Sequence, residues 1–110
     1  MSNRGPGVVV LYRWRLHAGS EASFIEAWCR ITKRLREVGG SLGSRLHRGP
    51  DGIWYAYAQW PSEEVRQRAF SLSVDPAASA QMRAAAAESF PEIVLEPICD
   101  FLVPPTDAGA

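Results

Sequence analysis

Residues 53 to 60 read IWYAYAQW, and this run leaves the chain few ways to fold. Side chains along a strand point alternately to opposite faces. Trp54, Ala56, Ala58 and Trp60 therefore share one side, and Ile53, Tyr55, Tyr57 and Gln59 share the other. Neither side suits water, so each needs a cover. One side also places two of the smallest side chains between two of the largest, which invites either a close approach by another element or an open space.

The neighbouring segments suggest what the covers are. Pro50-Asp51-Gly52 combines a residue with fixed φ and one that tolerates positive φ, so it joins the run to a shorter strand over about 43 to 49 (GSRLHRG) as a hairpin. Upstream, GVVVLYRWRLH alternates from Tyr12 onward, with Tyr12, Trp14 and Leu16 opposed to Arg13, Arg15 and His17. Between these strands Ser20 is a good N-cap and Glu21 suits the positive end of a helix dipole. Phe24, Trp28, Ile31, Leu35 and Val38 then recur at helical spacing until Gly39-Gly40 offers a left-handed stop. This predicts a helix from about Glu21 to Val38. After Pro61, Ser62 caps a second helix with Glu63 and Glu64 in its first turn. Asp75-Pro76 starts a third over residues 77 to 89 (AASAQMRAAAAES). The last strand pattern is EIVLEPICDFLV, in which Pro97 cannot donate to a ladder and marks an edge or a bulge.

The order strand, helix, strand, strand, helix, strand is that of an α+β, ferredoxin-like βαββαβ fold. It has a four-stranded antiparallel sheet with its helical regions on one face. At 110 residues the chain suits one domain, expected over 8–103, with loose ends at 1–7 and 104–110. The helices cover the Trp/Ala/Ala/Trp side. The other side, with Ile53, Tyr55, Tyr57, Arg13, Arg15, His47 and Gln59, is an aromatic patch of the kind that marks an interface. A homodimer through that sheet face is the expected cover, with the arginines, His47, Glu96 and Asp100 as candidates for polar contacts across or around the interface. Under the helices two readings stay open. The alanines let a helix approach closely, or they leave a ligand pocket walled by Tyr12, Trp14, Trp28, Trp54, Trp60 and Met82, with Arg83 or Arg66 as an inward charge.

Twelve basic and twelve acidic residues cancel, so no net field draws the chain to nucleic acid or to an anionic membrane. No apolar run, VVVLY and IWYAYA included, comes near the ~20 residues that span a bilayer. The opening MSNRGPG has no signal-like apolar segment, and a cytoplasmic protein is expected. Cys29 and Cys99 lack ligand spacing and read as buried small apolar residues. With only His17 and His47 beside them, no metal site is expected.

The segments VVVLYRWRLHAG, FIEAW, GSLGSRLHR and WYAYAQWPSEE resemble the antibiotic biosynthesis monooxygenase family of dimeric alpha-beta barrels, over about residues 8 to 103. The resemblance implies a small homodimer and, in one branch, oxidation of polycyclic aromatic compounds by molecular oxygen without metal or flavin. Another branch degrades heme, using a strand-three tryptophan, a strand-one asparagine and a histidine ligand in the second helical region. Trp60 matches the first of these. No histidine follows His47 and the only asparagine is Asn3, so heme chemistry is disfavoured. Cofactor-free oxygenation asks the protein to hold an apolar substrate, assist loss of a proton and stabilise an anion in a dry site. Alternation places His17 and His47 away from the pocket face, and no residue is assigned a catalytic role. The same fold also serves as a non-catalytic binding or structural protein.

Overall fold

The computed structural model describes residues 6–72 and 74–103. Segments 1–5 and 104–110, where the loose ends were expected, fall outside them. Strand β1 (Val8–Leu16) leads into helix α1 (Glu21–Val38). Strands β2 (Ser44–Arg48) and β3 (Trp54–Trp60) form the hairpin. Helices α2 (Glu63–Phe70) and α3 (Pro76–Ala85) follow, and two short strands, β4 (Ala86–Ser89) and β5 (Ile93–Leu95), close the sheet. All pairings are antiparallel in the order β2-β3-β1-β4, with β5 also on β1. This is the ferredoxin-like α+β arrangement.

Local chemistry sets the boundaries. Gly52, at φ +80°, and the Asp51 carboxylate, which accepts from Ile53 N at 3.0 Å, shape the hairpin turn. Ser62 Oγ accepts from Val65 N at 3.1 Å and Asp75 Oδ1 from Ala78 N at 3.0 Å, so both later helices begin with a side-chain cap. Ser20 behaves differently, because its hydroxyl donates back to His17 O at 2.8 Å and caps nothing in α1. At the other end of α1 it is Gly40, at φ +83°, that takes the left-handed conformation, while Gly39 stays right-handed.

The sheet departs from the expected four strands at one edge. The alanine-rich third helix stops at Ala85, and Ala86–Ser89 pairs instead with Trp14–Leu16, across a register shift between Arg15 and Leu16. Alanine's helix preference amounts to a few tenths of a kcal/mol per residue. The far end of β1 offers whole ladder hydrogen bonds, such as His17 N to Ala85 O at 2.9 Å, and these prevail. The final strand is also shorter than its pattern. Only Ile93–Leu95 pairs, with Val9–Leu11, and the segment carrying Pro97 runs on outside the sheet. Thus β4 and β5 share the one edge position, separated by Phe90-Pro91-Glu92.

The core lies between sheet and helices, with Val8, Val10, Leu35, Ala58, Trp60 and Ala69 packed together. Ile53, placed with the outer patch by alternation, is already buried within the chain. Cys29 and Cys99, expected inside, are both exposed free thiols. The first faces outward from α1 and the second sits beyond the last paired residue.

A cavity between sheet and helices

The alternation in β3 has its effect here. Trp54, Ala56, Ala58 and Trp60 all point toward the helices and are buried. Above the two alanines the helices do not close down, leaving a cavity of about 270 Å³. Ala56 and Ala58 form its floor beside Tyr12 and Trp14 of β1. Trp28 comes from α1 and Met82 from α3, and Trp60 stands at one end with Phe70 tilted against it at 5.9 Å. Concave, largely apolar spaces of about this size hold small organic ligands.

Six of the residues singled out from the sequence, Tyr12, Trp14, Trp28, Trp60, Met82 and Arg83, line this one space. Trp54 does not. Phe24 stands between Trp14 and Trp54, edge-on to both at 5.0 and 6.1 Å, and Arg48 lies over the outer indole at 4.9 Å. Trp54 borders an open groove on the neighbouring surface with Ile25, Cys29 and Leu46. The Nε1–H of Trp60 is sealed from solvent and has no acceptor among the described residues. An indole donor left this way costs about 1–3 kcal/mol, and neighbouring packing has to offset that cost.

The polar side of the cavity is built around Arg66, only 4% exposed. It does not line the space itself. Its Nη1 donates to Tyr12 Oη at 3.2 Å, its Nε and Nη2 to the two Glu63 carboxylate oxygens at 2.9 and 2.7 Å, and Nη2 also to Glu92 Oε2 at 2.8 Å. A guanidinium buried this deeply needs such partners, because an unpaired one is strongly destabilising. The hydrogen bond from Arg66, joined by one from Gln67, pushes the Glu63 carboxyl down to about 2. Glu63 raises the Arg66 guanidinium above its ordinary value. Burial raises the Tyr12 phenol, and the Arg66 hydrogen bond opposes that shift without cancelling it. Tyr12 is therefore a neutral donor near pH 7.

Sequence spacing makes the Glu63–Arg66 pair visible at i,i+3 on one helix. It gives no sign of Glu92 or of the Arg66 contact with Tyr12, which join residues far apart in the chain. Among the described residues that line the cavity there is no carboxylate and no imidazole. His47 lies on the outer sheet face opposite Tyr55, with its Nδ1 at 3.3 Å from Tyr55 O, and His17 is exposed past the end of β1. Among the described residues no group of three or more His, Cys, Asp or Glu is placed to hold a metal ion, and no helix is long and apolar enough to cross a membrane.

No family model matches the chain, and no curated protein matches it in sequence. Solved structures do match. SnoaB from Streptomyces nogalater, a cofactor-independent oxygenase, superposes with a TM-score of 0.73 at 18% identity, over 86% of this chain and 95% of that one. The chain has the antibiotic biosynthesis monooxygenase fold. A Caulobacter crescentus protein assigned to the antibiotic biosynthesis monooxygenases gives a TM-score of 0.75 at 15% identity, over 86% and 92% of the two chains. One from Nitrosomonas europaea gives 0.71 at 11%, over 89% and 96%. Identities this low speak for the antibiotic biosynthesis monooxygenase fold and leave the chemistry to be argued from the side chains.

Proposed function

We propose that the chain is a homodimeric member of the antibiotic biosynthesis monooxygenase family, acting in the cytoplasm on a small aromatic or polyketide-like compound without a bound cofactor. The observation that carries this reading is the aromatic-walled cavity over Ala56 and Ala58, on a fold that a cofactor-independent oxygenase shares. In such chemistry the substrate is its own reductant. A ring CH2 conjugated with a ketone through the flanking aromatic rings, as in an anthrone, loses a proton, and the enolate so formed passes electrons to O2. One oxygen atom becomes a new carbonyl on that carbon and the other leaves as water with the two hydrogens, so that CH2 and O2 become C=O and H2O. The protein's part is to hold the rings in a dry space and to stabilise the anion. With no carboxylate or imidazole among the described lining residues, the reading favours substrates acidic enough to ionise without a protein base.

A homodimer fits the surface. The outer sheet face presents Arg13, Arg15, Arg45 and His47 around half-exposed Tyr55 and Tyr57. The segment after β5 holds Ile98 and Phe101 out at 82% and 92% exposure, interleaved with Glu96 and Asp100. Apolar surface meets apolar surface and opposite charges meet if one chain's segment lies on a second chain's sheet.

The lack of a carboxylate or imidazole among the described lining residues also favours a second reading, a carrier that binds such compounds without oxidising them. Oxygen uptake with anthrone separates the two. Under the first reading the protein accelerates uptake and forms anthraquinone. Ala56→Leu, which fills the floor of the cavity, cuts the rate at least tenfold while costing only about 1–3 kcal/mol of stability. Saturable anthrone binding without faster uptake supports the carrier, and absence of both overturns the two readings together.

A further inference from the structure

Among the described residues, Tyr12 is the one cavity-lining hydroxyl that accepts a hydrogen bond from a buried cation. Its hydroxyl oxygen accepts from Arg66 Nη1 at 3.2 Å, and among the described residues its own O–H has no acceptor. The ring lies nearly parallel to that of Trp14, 15° apart with centroids at 6.1 Å, which fixes the direction of the phenol. Arg66 in turn has every nitrogen engaged, on Glu63, Glu92 and Tyr12. It cannot turn toward a ligand without breaking one of these bonds. The guanidinium is 4% exposed, whereas the side chains of Glu63 and Glu92 are 42% and 45% exposed. The carboxylates are thus the solvated part of the cluster, and the nearest charge to the phenol is positive.

We propose that Tyr12 donates a hydrogen bond to a carbonyl or enolate oxygen of an aromatic ligand in the cavity, and that Arg66 is a positioning residue that orients and polarises this donor. A phenol whose oxygen already accepts from a cation is a stronger donor through its remaining hydrogen. Burial keeps that proton in place, since it raises the phenol's pKa. The cavity therefore selects for an oxygen substituent on the ligand's edge, where an unsubstituted hydrocarbon of the same shape leaves the hydroxyl without a partner. This rests on the reading of the cavity as a ligand site, and the test separates the two.

The matched probes 1-tetralone and tetralin differ only in the ketone oxygen, and binding of each is followed by tryptophan fluorescence. Wild-type protein binds both, and Tyr12→Phe lowers the tetralone-to-tetralin affinity ratio about tenfold without weakening tetralin. The infrared carbonyl band of bound 1-tetralone adds a reading that loss of structure does not mimic. The band lies below its position in hexane for wild-type protein and returns toward it in Tyr12→Phe. Arg66→Gln moves it up by removing the cation, and Glu92→Gln moves it further down by removing an anion. If Arg66→Gln fails to fold, Tyr12→Phe and the half-exposed Glu92→Gln decide the matter. An unchanged affinity ratio in Tyr12→Phe, or a Glu92→Gln band that moves up or stays put, overturns the inference even though tetralin binds. Failure of both probes to bind overturns the cavity reading and this inference with it.

Discussion

A single arginine does two jobs in this molecule, and its effect on stability can be read through Glu63. The carboxyl of Glu63 titrates near 2 in the folded chain, against 4.5 for a free side chain, because Arg66 and Gln67 donate to it. A lowered pKa contributes stability above the unfolded value, and that contribution is lost as pH falls through the folded one. Wild-type protein is therefore expected to lose stability from Glu63 between about pH 4.5 and 2. Glu63→Gln lowers stability at pH 7 by roughly 1 kcal/mol or less, because solvent screens a half-exposed pair, and it flattens the acid limb. Urea titrations at a series of pH values check this, and parallel limbs for the two proteins refute it. At this scale the aromatic wall was legible in the sequence, since alternation alone aims Trp60, Ala58, Ala56, Tyr12 and Trp14 at the helices. The Arg66 cluster was legible only in its local half. Tyr12 and Glu92 come to Arg66 through tertiary packing, which no spacing rule encodes. The exposed thiols escaped for a similar reason, because periodicity assigns a residue to a face but does not say whether anything covers it.

Elements were most predictable where a side chain fixes a backbone group. Asp75 followed by Pro76 starts α3 as its chemistry dictates, and the same carboxylate also receives Arg30 at 3.3 Å. Asp75→Ala is expected to cost about 1 kcal/mol in denaturant unfolding, the usual worth of such a cap. Asp75→Asn recovers most of that, because the amide oxygen still accepts from Ala78 N. Equal losses in the two variants would point to the Arg30 pair as the source. Elements were least predictable where two weak preferences compete. Residues 86 to 89 are half alanine and read as helix, yet the edge of β1 that faces away from β3 offers ladder groups at Trp14–Leu16, and these recruit them. The three-residue β5 is the reverse case: a twelve-residue strand pattern in which only Ile93–Leu95 finds a partner strand. Propensity reports what a segment tolerates, and the neighbouring strand decides what it does.

The whole molecule is covered on one side and open on the other. Helices bury the inner face of the sheet, while the outer face and the segment after β5 keep aromatic, arginine and large aliphatic groups in water. Sedimentation equilibrium is expected to find a dimer. Phe101→Glu should weaken it at least tenfold without altering the unfolding of the monomer, since that ring is 92% exposed in the single chain. A monomeric wild-type protein, or a Phe101→Glu dimer of undiminished strength, refutes the pairing. The interruption at Phe90-Pro91-Glu92 bears on this architecture as well. It lies across from Tyr12 and Arg13, and it is where Glu92 leaves the ladder to meet Arg66. Three residues stand there against two on β1, so removing Phe90 or Pro91 would restore one-to-one pairing with both flanking registers kept and leave Glu92 opposite Tyr12, on the face where Arg66 lies. A descendant of this chain that healed the gap into one unbroken strand would keep its acid beside the guanidinium and give up only the local bend that the extra residue imposes.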